Sequence, residues 1–198
     1  MKNSDMKLGH STEHQVTNEE REQTKRVVYA VMYGAGMNKL EQVLQVNPNE
    51  ARKILNTFTG KFPQIKNFSQ RLVRRARDQG FVTSLSGRRR LFPNISSSDA
   101  KLRLQSERQA VNFLIQGSAA DVCKVAMIRT QQAMNREALQ AELMLQIHDE
   151  LVWEVPDTQL QKFKELVQEV MEGTKAYFKI TLPLPVALAS GKTWADVS

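Results

Sequence analysis

The chain of 198 residues carries 28 lysine and arginine residues against 21 aspartate and glutamate residues, a formal net charge of +7. Its mean hydropathy is −0.44 and it has no long uncharged apolar run, so we expect no transmembrane helix. The first ten residues lack the apolar stretch of a signal peptide, and one cysteine, Cys123, excludes an intrachain disulfide framework. The basic excess favours a polyanionic partner such as nucleic acid.

The amino-terminal half predicts a disordered lead-in followed by three helices. Residues 1–16 are polar and show no apolar periodicity. Thr17 and Glu20 have the spacing of a capping box, and Asn47 can cap a helix that opens with proline. We therefore expect helices from Thr17 to about Tyr33, from Pro48 to about Thr59, and from Pro63 to just before Gly80.

The carboxyl-terminal half mixes strands and helices. The alternating pattern around Ser86-Gly87 predicts a hairpin from Phe81 to Phe92. In chain order we then expect a helix from Asp99 to about Met134 interrupted at Gly117, strands at 143–147 and 151–155, a helix capped by Asp157 and ending near Tyr177, a closing strand at 185–189 and a short piece at Trp194. The fold class predicted is α+β, mostly helices with a small antiparallel sheet late in the chain.

Four residues spaced four apart form a graded stripe on the first predicted helix. Arg21 and Lys25 come first, and Tyr29 and Tyr33 follow. Such residues stand one above another on a helix, so two cations adjoin two aromatic rings. A nucleoside triphosphate has the same polarity, with phosphates at one end and a stackable base at the other. The alternative is a half-exposed helix with solvated charges and interfacial tyrosines.

Arg108, Asn112 and Gln116 repeat the same spacing on the long helix, just before the small residues 117–120. Long hydrogen-bonding side chains in a row suit the minor-groove edge of a duplex, where every base pair presents acceptors at similar places. Small residues would let another backbone approach closely. The alternative is a polar helix face in contact with water.

Two charged turns complete the candidate sites. His148-Asp149-Glu150 lies between two apolar strands, and adjacent carboxylates on a sheet can bind a hard divalent cation, although acidic hairpin turns are also common. In the earlier hairpin, Arg88 and Arg89 could contact a phosphate backbone or could be solvated. The same basic run resembles a nuclear-localisation patch, so we expect a nuclear protein.

Together these motifs resemble DNA polymerase family A, the family of bacterial DNA polymerase I. The stripe Arg21-x3-Lys25-x3-Tyr29-x3-Tyr33-Gly34 is similar to the family's fingers-helix motif. The run Glu107 to Asn112, continued by residues 116–121, resembles its primer-template motif, and His148-Asp149-Glu150 resembles its palm motif C. The resemblance runs from about Glu13 to Trp194, and the flanking sequence is most similar to the branch of polymerase nu, with the theta branch next.

The resemblance implies roles for the residues of each motif. Arg21 and Lys25 would bind the incoming deoxynucleoside triphosphate, Tyr29 would pack against its sugar and base, and Tyr33 would lie beside the templating base. Arg108, Asn112 and Gln116 would contact primer-template DNA near the minor groove. His148 would lie by the primer end, Asp149 would bind two catalytic Mg²⁺ ions, and Glu150 would support that site.

The resemblance also implies a domain organisation and a departure from it. Residues 17–93 would form the fingers subdomain and residues 94–198 the distal palm, behind the lead-in of residues 1–16. The family's first catalytic aspartate lies in a segment like Asp-Tyr-Ser-x-x-Glu, and nothing before Thr17 resembles it. We therefore expect a fragment of a polymerase. The similarity to the nu branch implies a role in DNA repair or translesion synthesis, with repair proteins as partners, and we expect no membrane association. The alternatives are an inactive DNA- or partner-binding isoform and a metal-dependent hydrolase.

Overall fold

The computed structural model describes residues 17–32 and 37–197, which form six α-helices and two short β-hairpins. In chain order the elements are α1 (Asn18–Met32), α2 (Met37–Leu44), α3 (Pro48–Lys61), α4 (Pro63–Gln79), β1 (Phe81–Thr83), β2 (Arg89–Leu91), α5 (Ala100–Arg136), β3 (Glu142–Ile147), β4 (Glu150–Glu154) and α6 (Leu160–Tyr177). The predicted α+β class, with antiparallel strands, is confirmed.

Local capping explains the helix starts that the sequence predicts. The side-chain oxygen of Asn47 accepts a hydrogen bond of 2.9 Å from the backbone N–H of Glu50, and Pro48 opens α3 where no N–H is needed. Asp99 caps α5 in the same way, accepting from Lys101 and Leu102. The predicted end of α1 at Tyr33 and the predicted lead-in of residues 1–16 lie outside the described residues.

Two helices differ from the sequence-based prediction. No element is predicted for residues 37–44, where α2 buries Leu40 and Leu44. A break is predicted at Gly117, but α5 runs through this residue without interruption. Glycine weakens a helix by about 1 kcal/mol relative to alanine, and packing of the flanking residues Val111 and Phe113 into the core is enough to override that preference.

Two further expectations near the carboxyl terminus are wrong. Asp157 opens a 3-10 turn that precedes α6 and forms an ion pair with Lys192, and no side-chain cap is found for this turn or for α6. Residues 185–189 form no strand, because β3 and β4 pair only with each other within the described residues. A 3-10 turn at Trp194–Asp196 matches the predicted short piece.

The chain forms two compact units, one ending at Ser69 and one beginning at Gln70, so the division falls within α4. The first unit has one apolar cluster of buried residues from α1, α2 and α3: Val27, Ala30, Leu40, Leu44 and Ala51. The second has two clusters. Ala76, Val82, Phe92, Ile95, Ala110 and Phe113 join the first hairpin to α5, and Met134, Ala141, Phe163 and Val167 join α5 to α6.

Helix α5 is the longest element, with 37 residues and an axial length of about 55 Å. Contrary to the expectation from hydropathy, it is long and apolar enough to cross a membrane by length and composition alone. Helices in the core of soluble proteins also have this length and composition, so these two properties do not identify a membrane-spanning helix. Here the middle of α5 carries the buried carboxylate of Asp121, which is paired with Arg88.

One carboxylate holds the first hairpin on α5. Asp121 is 4% exposed, and its Oδ1 accepts hydrogen bonds from Nε and Nη2 of Arg88 at 3.2 and 2.9 Å. Its Oδ2 accepts from the backbone N–H of Ser86 at 3.1 Å, while Arg88 Nη2 also donates to the Gly117 carbonyl at 3.0 Å. Burial alone would raise the pKa of Asp121. Hydrogen bonds donated to the carboxylate, including those from Ser86 and Arg88, outweigh burial and lower that pKa to about 2.

This arrangement predicts that Asp121→Asn lowers the free energy of unfolding by about 2 kcal/mol at pH 7, because charge-assisted hydrogen bonds are lost. Urea denaturation followed by tryptophan fluorescence can measure the change. Both tryptophans, Trp153 and Trp194, belong to the same compact unit as Asp121. Asp78→Asn is the matched control, because Asp78 is exposed and forms no ion pair within the described part of the chain; it should change stability by less than about 0.5 kcal/mol.

The same carboxylate predicts a pH dependence of stability. Its folded pKa of about 2 lies below the ordinary value of 3.8, so its contribution is present above pH 4 and is lost as the pH falls towards 2. The shift corresponds to about 2 kcal/mol. Wild-type protein should therefore lose more stability between pH 5 and 2 than Asp121→Asn. Equal losses in the two proteins would contradict the assignment.

Candidate active site

The first helix separates a buried face from an exposed polar face. Val27 and Ala30 are buried in the first apolar cluster. Arg21, Lys25 and Tyr29 are exposed, and Tyr29 exposes 56% of its surface. Three of the four residues of the predicted stripe therefore lie on a face that a ligand can reach, while Tyr33 lies outside the described residues.

The charge of Lys25 is balanced within the same helix. Its Nζ lies 2.5 Å from Oε1 of Glu22, one turn earlier, and both side chains are about half exposed. The hydrogen bond and the charge of Lys25 lower the pKa of Glu22 below its ordinary value. A pair this exposed is worth little in stability, so an anion can displace Glu22 from Lys25 without a large penalty.

The middle of the primer-template motif contains an unsatisfied acceptor. Arg108 and Gln116 are exposed on α5, and Asn112 between them is partly buried. Oδ1 of Asn112 is buried and has no hydrogen-bond partner among the described residues. An unpaired buried acceptor costs about 1–3 kcal/mol, so Asn112 carries a polar atom that the described residues leave unsatisfied.

The palm motif forms the tip of the second hairpin. Ile147 of β3 pairs with Glu150 of β4, so His148 and Asp149 make a two-residue turn. All three residues of the motif are exposed, and His148 has a left-handed backbone with φ of 54°. The hairpin therefore presents the carboxylates of Asp149 and Glu150 to solvent next to each other in the chain.

A cysteine of α5 lies beside this turn. The side-chain N–H of Gln146 donates to the Cys123 thiol at 3.2 Å and to the His148 carbonyl at 3.4 Å. Burial raises the pKa of Cys123, and the nearby negative charge of Asp149 raises it further, whereas the hydrogen bond from Gln146 lowers it. The Asp149 carboxylate is therefore close enough to the thiol to act on its ionisation.

The two carboxylates are only part of a metal site. Carboxylate oxygens are the ligands that Mg²⁺ prefers, so Asp149 and Glu150 suit this ion chemically. Within residues 17–32 and 37–197, however, no group of three or more histidine, cysteine, aspartate or glutamate side chains is placed to bind a metal. The described residues do not make a complete magnesium site by themselves.

The arginines of the first hairpin, β1–β2, make two kinds of contact: Arg88 forms an ion pair, and Arg89 and Arg90 lie over aromatic rings. Arg88 contacts Asp121 and Gly117, and it retains 47% side-chain exposure. The guanidinium of Arg89 lies 4.7 Å from the centre of the Phe81 ring, and that of Arg90 lies 5.2 Å from the Phe92 ring. Contacts of Arg88 and Arg89 with DNA stay predictions, and the contacts seen for Arg88 tie the hairpin to α5.

Three residues that support these sites have no predicted role: Asp121, Cys123 and Gln146. A buried aspartate inside an apolar helix is a detectable signal, because it requires a cationic or hydrogen-bonding partner. The pairing of Cys123 with Gln146 has no such signal, since neither residue is unusual at its position.

The proximity of Asp149 predicts that Asp149→Asn lowers the pKa of Cys123, because removing a negative charge stabilises the thiolate. Cys123 is the only cysteine, so the pH dependence of alkylation by iodoacetamide reports this thiol alone. Glu154→Gln, at the far end of β4, is the control and should leave the pKa unchanged. An unchanged pKa in Asp149→Asn would place the carboxylate away from α5.

Comparison with known proteins identifies the family. The family model described as DNA polymerase family A matches residues 3–196, and so extends beyond the motifs towards the amino terminus. DNA polymerase I of Geobacillus stearothermophilus is 38% identical over 191 residues, which cover 96% of this chain and 22% of that protein. DNA polymerase theta of Drosophila melanogaster is also 38% identical, over 93% of this chain and 9% of that protein.

The fold agrees with the sequence match. A polymerase domain of DNA polymerase I from M. smegmatis, solved in complex with DNA primer-template and dNTP, has a TM-score of 0.86 and 34% identity to this chain. The alignment covers 92% of this chain and 32% of that one. The chain thus spans about a fifth of the Geobacillus stearothermophilus polymerase, about a tenth of the Drosophila melanogaster one and a third of the solved domain. From the family match over nearly all of its residues, the chain belongs to DNA polymerase family A.

Proposed function

We propose that this chain supplies the nucleotide-binding and primer-binding parts of a template-directed DNA polymerase, which adds deoxynucleotides to a primer 3′ end. The observation that carries the proposal is the exposure of three motifs in the family's order, on α1, α5 and the β3–β4 turn. The M. smegmatis domain, which binds primer-template and dNTP, supports both ligands. Because the chain spans a fraction of its relatives, the full reaction belongs to a longer polymerase.

On α1, the exposed cations would bind the triphosphate. Arg21 and Lys25 lie two turns and one turn before Tyr29 on the same face, so phosphates and base can be contacted at once. The ammonium group of Lys25 would leave Glu22 and form an ion pair with a phosphate oxygen instead. Tyr33 would complete the stripe beside the templating base. In this proposal residues 17–93 form the fingers subdomain.

On α5, the polar face would contact the primer-template duplex. Arg108 and Gln116 can reach minor-groove acceptors from exposed positions, and the partly buried Asn112 would contact the duplex between them. Arg89 and the exposed part of Arg88 would contact backbone phosphates. In this proposal residues 94–198 form the distal palm.

At the β3–β4 turn, Asp149 would be one ligand of the catalytic Mg²⁺ ions, with His148 at the primer end and Glu150 in support. The ions would stabilise charge during nucleotidyl transfer. The remaining carboxylate must come from outside the described residues, since these contain no third ligand group. The same observation favours a second candidate function, an inactive DNA-binding isoform.

The biological setting is a narrower proposal. A role in DNA repair or translesion synthesis and partnership with repair proteins rest on the similarity of the flanking sequence to the nu branch. A nuclear location rests on the basic run at 88–90. The relatives named above are DNA polymerase I and DNA polymerase theta, so the similarity to the nu branch stays a prediction.

The proposed role of α1 predicts that Lys25→Ala in the complete polymerase weakens nucleotide binding about ten- to a hundredfold, the value of one charge-assisted phosphate contact. DNA binding should change little. Nucleotide titration of the polymerase–DNA complex measures the effect. Lys53→Ala, which removes an exposed lysine from α3, is the matched control. Normal nucleotide affinity with weakened DNA binding would contradict the assignment of Lys25.

The incomplete metal site predicts that the isolated 198-residue chain binds DNA in a strongly salt-dependent way but does not extend a primer. Binding would depend mainly on phosphate contacts, which weaken steeply with salt, whereas catalysis needs a complete magnesium site. Primer extension beside the Asp149→Asn variant tests this. Incorporation that depends on Asp149 in the isolated chain would show that another acidic residue completes the site.

A further inference from the structure

The side chain of Gln146 lies between the β3–β4 turn and α5. Its Nε2 is 3.2 Å from the Cys123 sulfur and 3.4 Å from the His148 carbonyl oxygen. A primary amide nitrogen carries two N–H groups, so both hydrogen bonds can form at once. Both neighbours can accept, which makes this orientation of the amide the one that satisfies them. Gln146 therefore links the turn to the helix.

The turn contains a backbone conformation that needs such support. His148 has φ of 54°, in the left-handed region that residues other than glycine rarely adopt. The conformation costs about 1–2 kcal/mol and persists only where surrounding contacts hold it. The His148 carbonyl, which accepts from Gln146, belongs to the peptide group that leads directly into Asp149. A hydrogen bond to this carbonyl therefore restrains the backbone nitrogen of Asp149.

The other end of the link is rigid. Cys123 lies on α5 two residues after Asp121, where the helix is held by the contacts to Arg88. The thiol, the amide of Gln146 and the His148 carbonyl thus lie together on one side of α5.

We propose that Gln146 is a positioning residue for Asp149. Its amide holds the His148–Asp149 turn against Cys123 of α5, so the Asp149 carboxylate is presented in one orientation. The consequence for catalysis rests on the proposed polymerase function, but the link itself is a property of this chain and can be tested without activity.

The first test measures the turn in the isolated chain. Gln146→Leu keeps the size of the side chain and removes both donors. Hydrogen exchange of the amides of residues 147–150, followed by NMR, should become about two- to tenfold faster, as expected for one lost hydrogen bond. Gln161→Leu is the matched control, because Gln161 donates to Glu165 within α6 and should leave the turn unchanged. Unchanged exchange in Gln146→Leu would overturn the proposal.

A second pair of variants tests the other end. Cys123→Ser keeps an acceptor for the amide and should hold exchange near the wild-type rate. Cys123→Ala removes the acceptor and should accelerate exchange. Combining Cys123→Ala with Gln146→Leu should add little to either change, because the two residues share one link. Additive effects would show that Gln146 and Cys123 act independently, and would overturn the link through the thiol.

The final test uses the complete polymerase. Gln146→Leu should raise the Mg²⁺ concentration for half-maximal primer extension several-fold and lower kcat, with the Kd for primer-template unchanged. A wild-type Mg²⁺ requirement despite faster exchange would overturn the role in positioning Asp149. Lack of extension by the unmutated polymerase would instead contradict the proposed function, and the exchange measurements would still decide the link.

Discussion

The docking of the first hairpin on α5 depends on one side chain, Arg88, which contacts Asp121 and the Gly117 carbonyl. Arg88 reaches both groups at about 3 Å from a hairpin that precedes α5 in the chain. A Cβ at position 117 would lie 3.1 Å from the Phe113 ring and 3.5 Å from Arg88 Nη2. Glycine weakens a helix by about 1 kcal/mol, and the charge-assisted bonds to Asp121 offset that loss. The hairpin and the helix therefore fix each other.

Helix α5 is the common support for two of the three motifs. Gln116 lies on it within the predicted primer-template motif, Asp121 binds the first hairpin, and Cys123 contacts Gln146 beside the β3–β4 turn. One helix therefore sets the relative positions of all three. At 1.5 Å per residue, Gln116 and Cys123 are about 10 Å apart along the helix axis. A shift of α5 would move both motifs together. The helix thus keeps Gln116 at a fixed distance from the turn that carries Asp149 and Glu150.

The elements that the sequence predicts correctly are those that local chemistry determines. Asn47 with Pro48 and Asp99 mark helix starts by groups within three residues, and the turn at Gly87, with φ of 89°, needs a glycine in the same way. The failures need distant partners. Residues 37–44 become helical through burial of Leu40 and Leu44, and residues 185–189 form no strand because no neighbouring strand pairs with them in the described structure.

The same distinction separates the site residues that sequence reveals from those it hides. The residues predicted to contact a ligand on α1, Arg21, Lys25 and Tyr29, are exposed and regularly spaced, so the sequence alone reveals them as a stripe. Residues that position a motif contact partners far along the chain. Arg88 and Asp121 are 33 positions apart, and Gln146 and Cys123 are 23. None of these four residues stands out in the sequence, because each acquires its partner only when the chain folds. A sequence motif therefore identifies residues predicted to bind a ligand, but not the residues that position them.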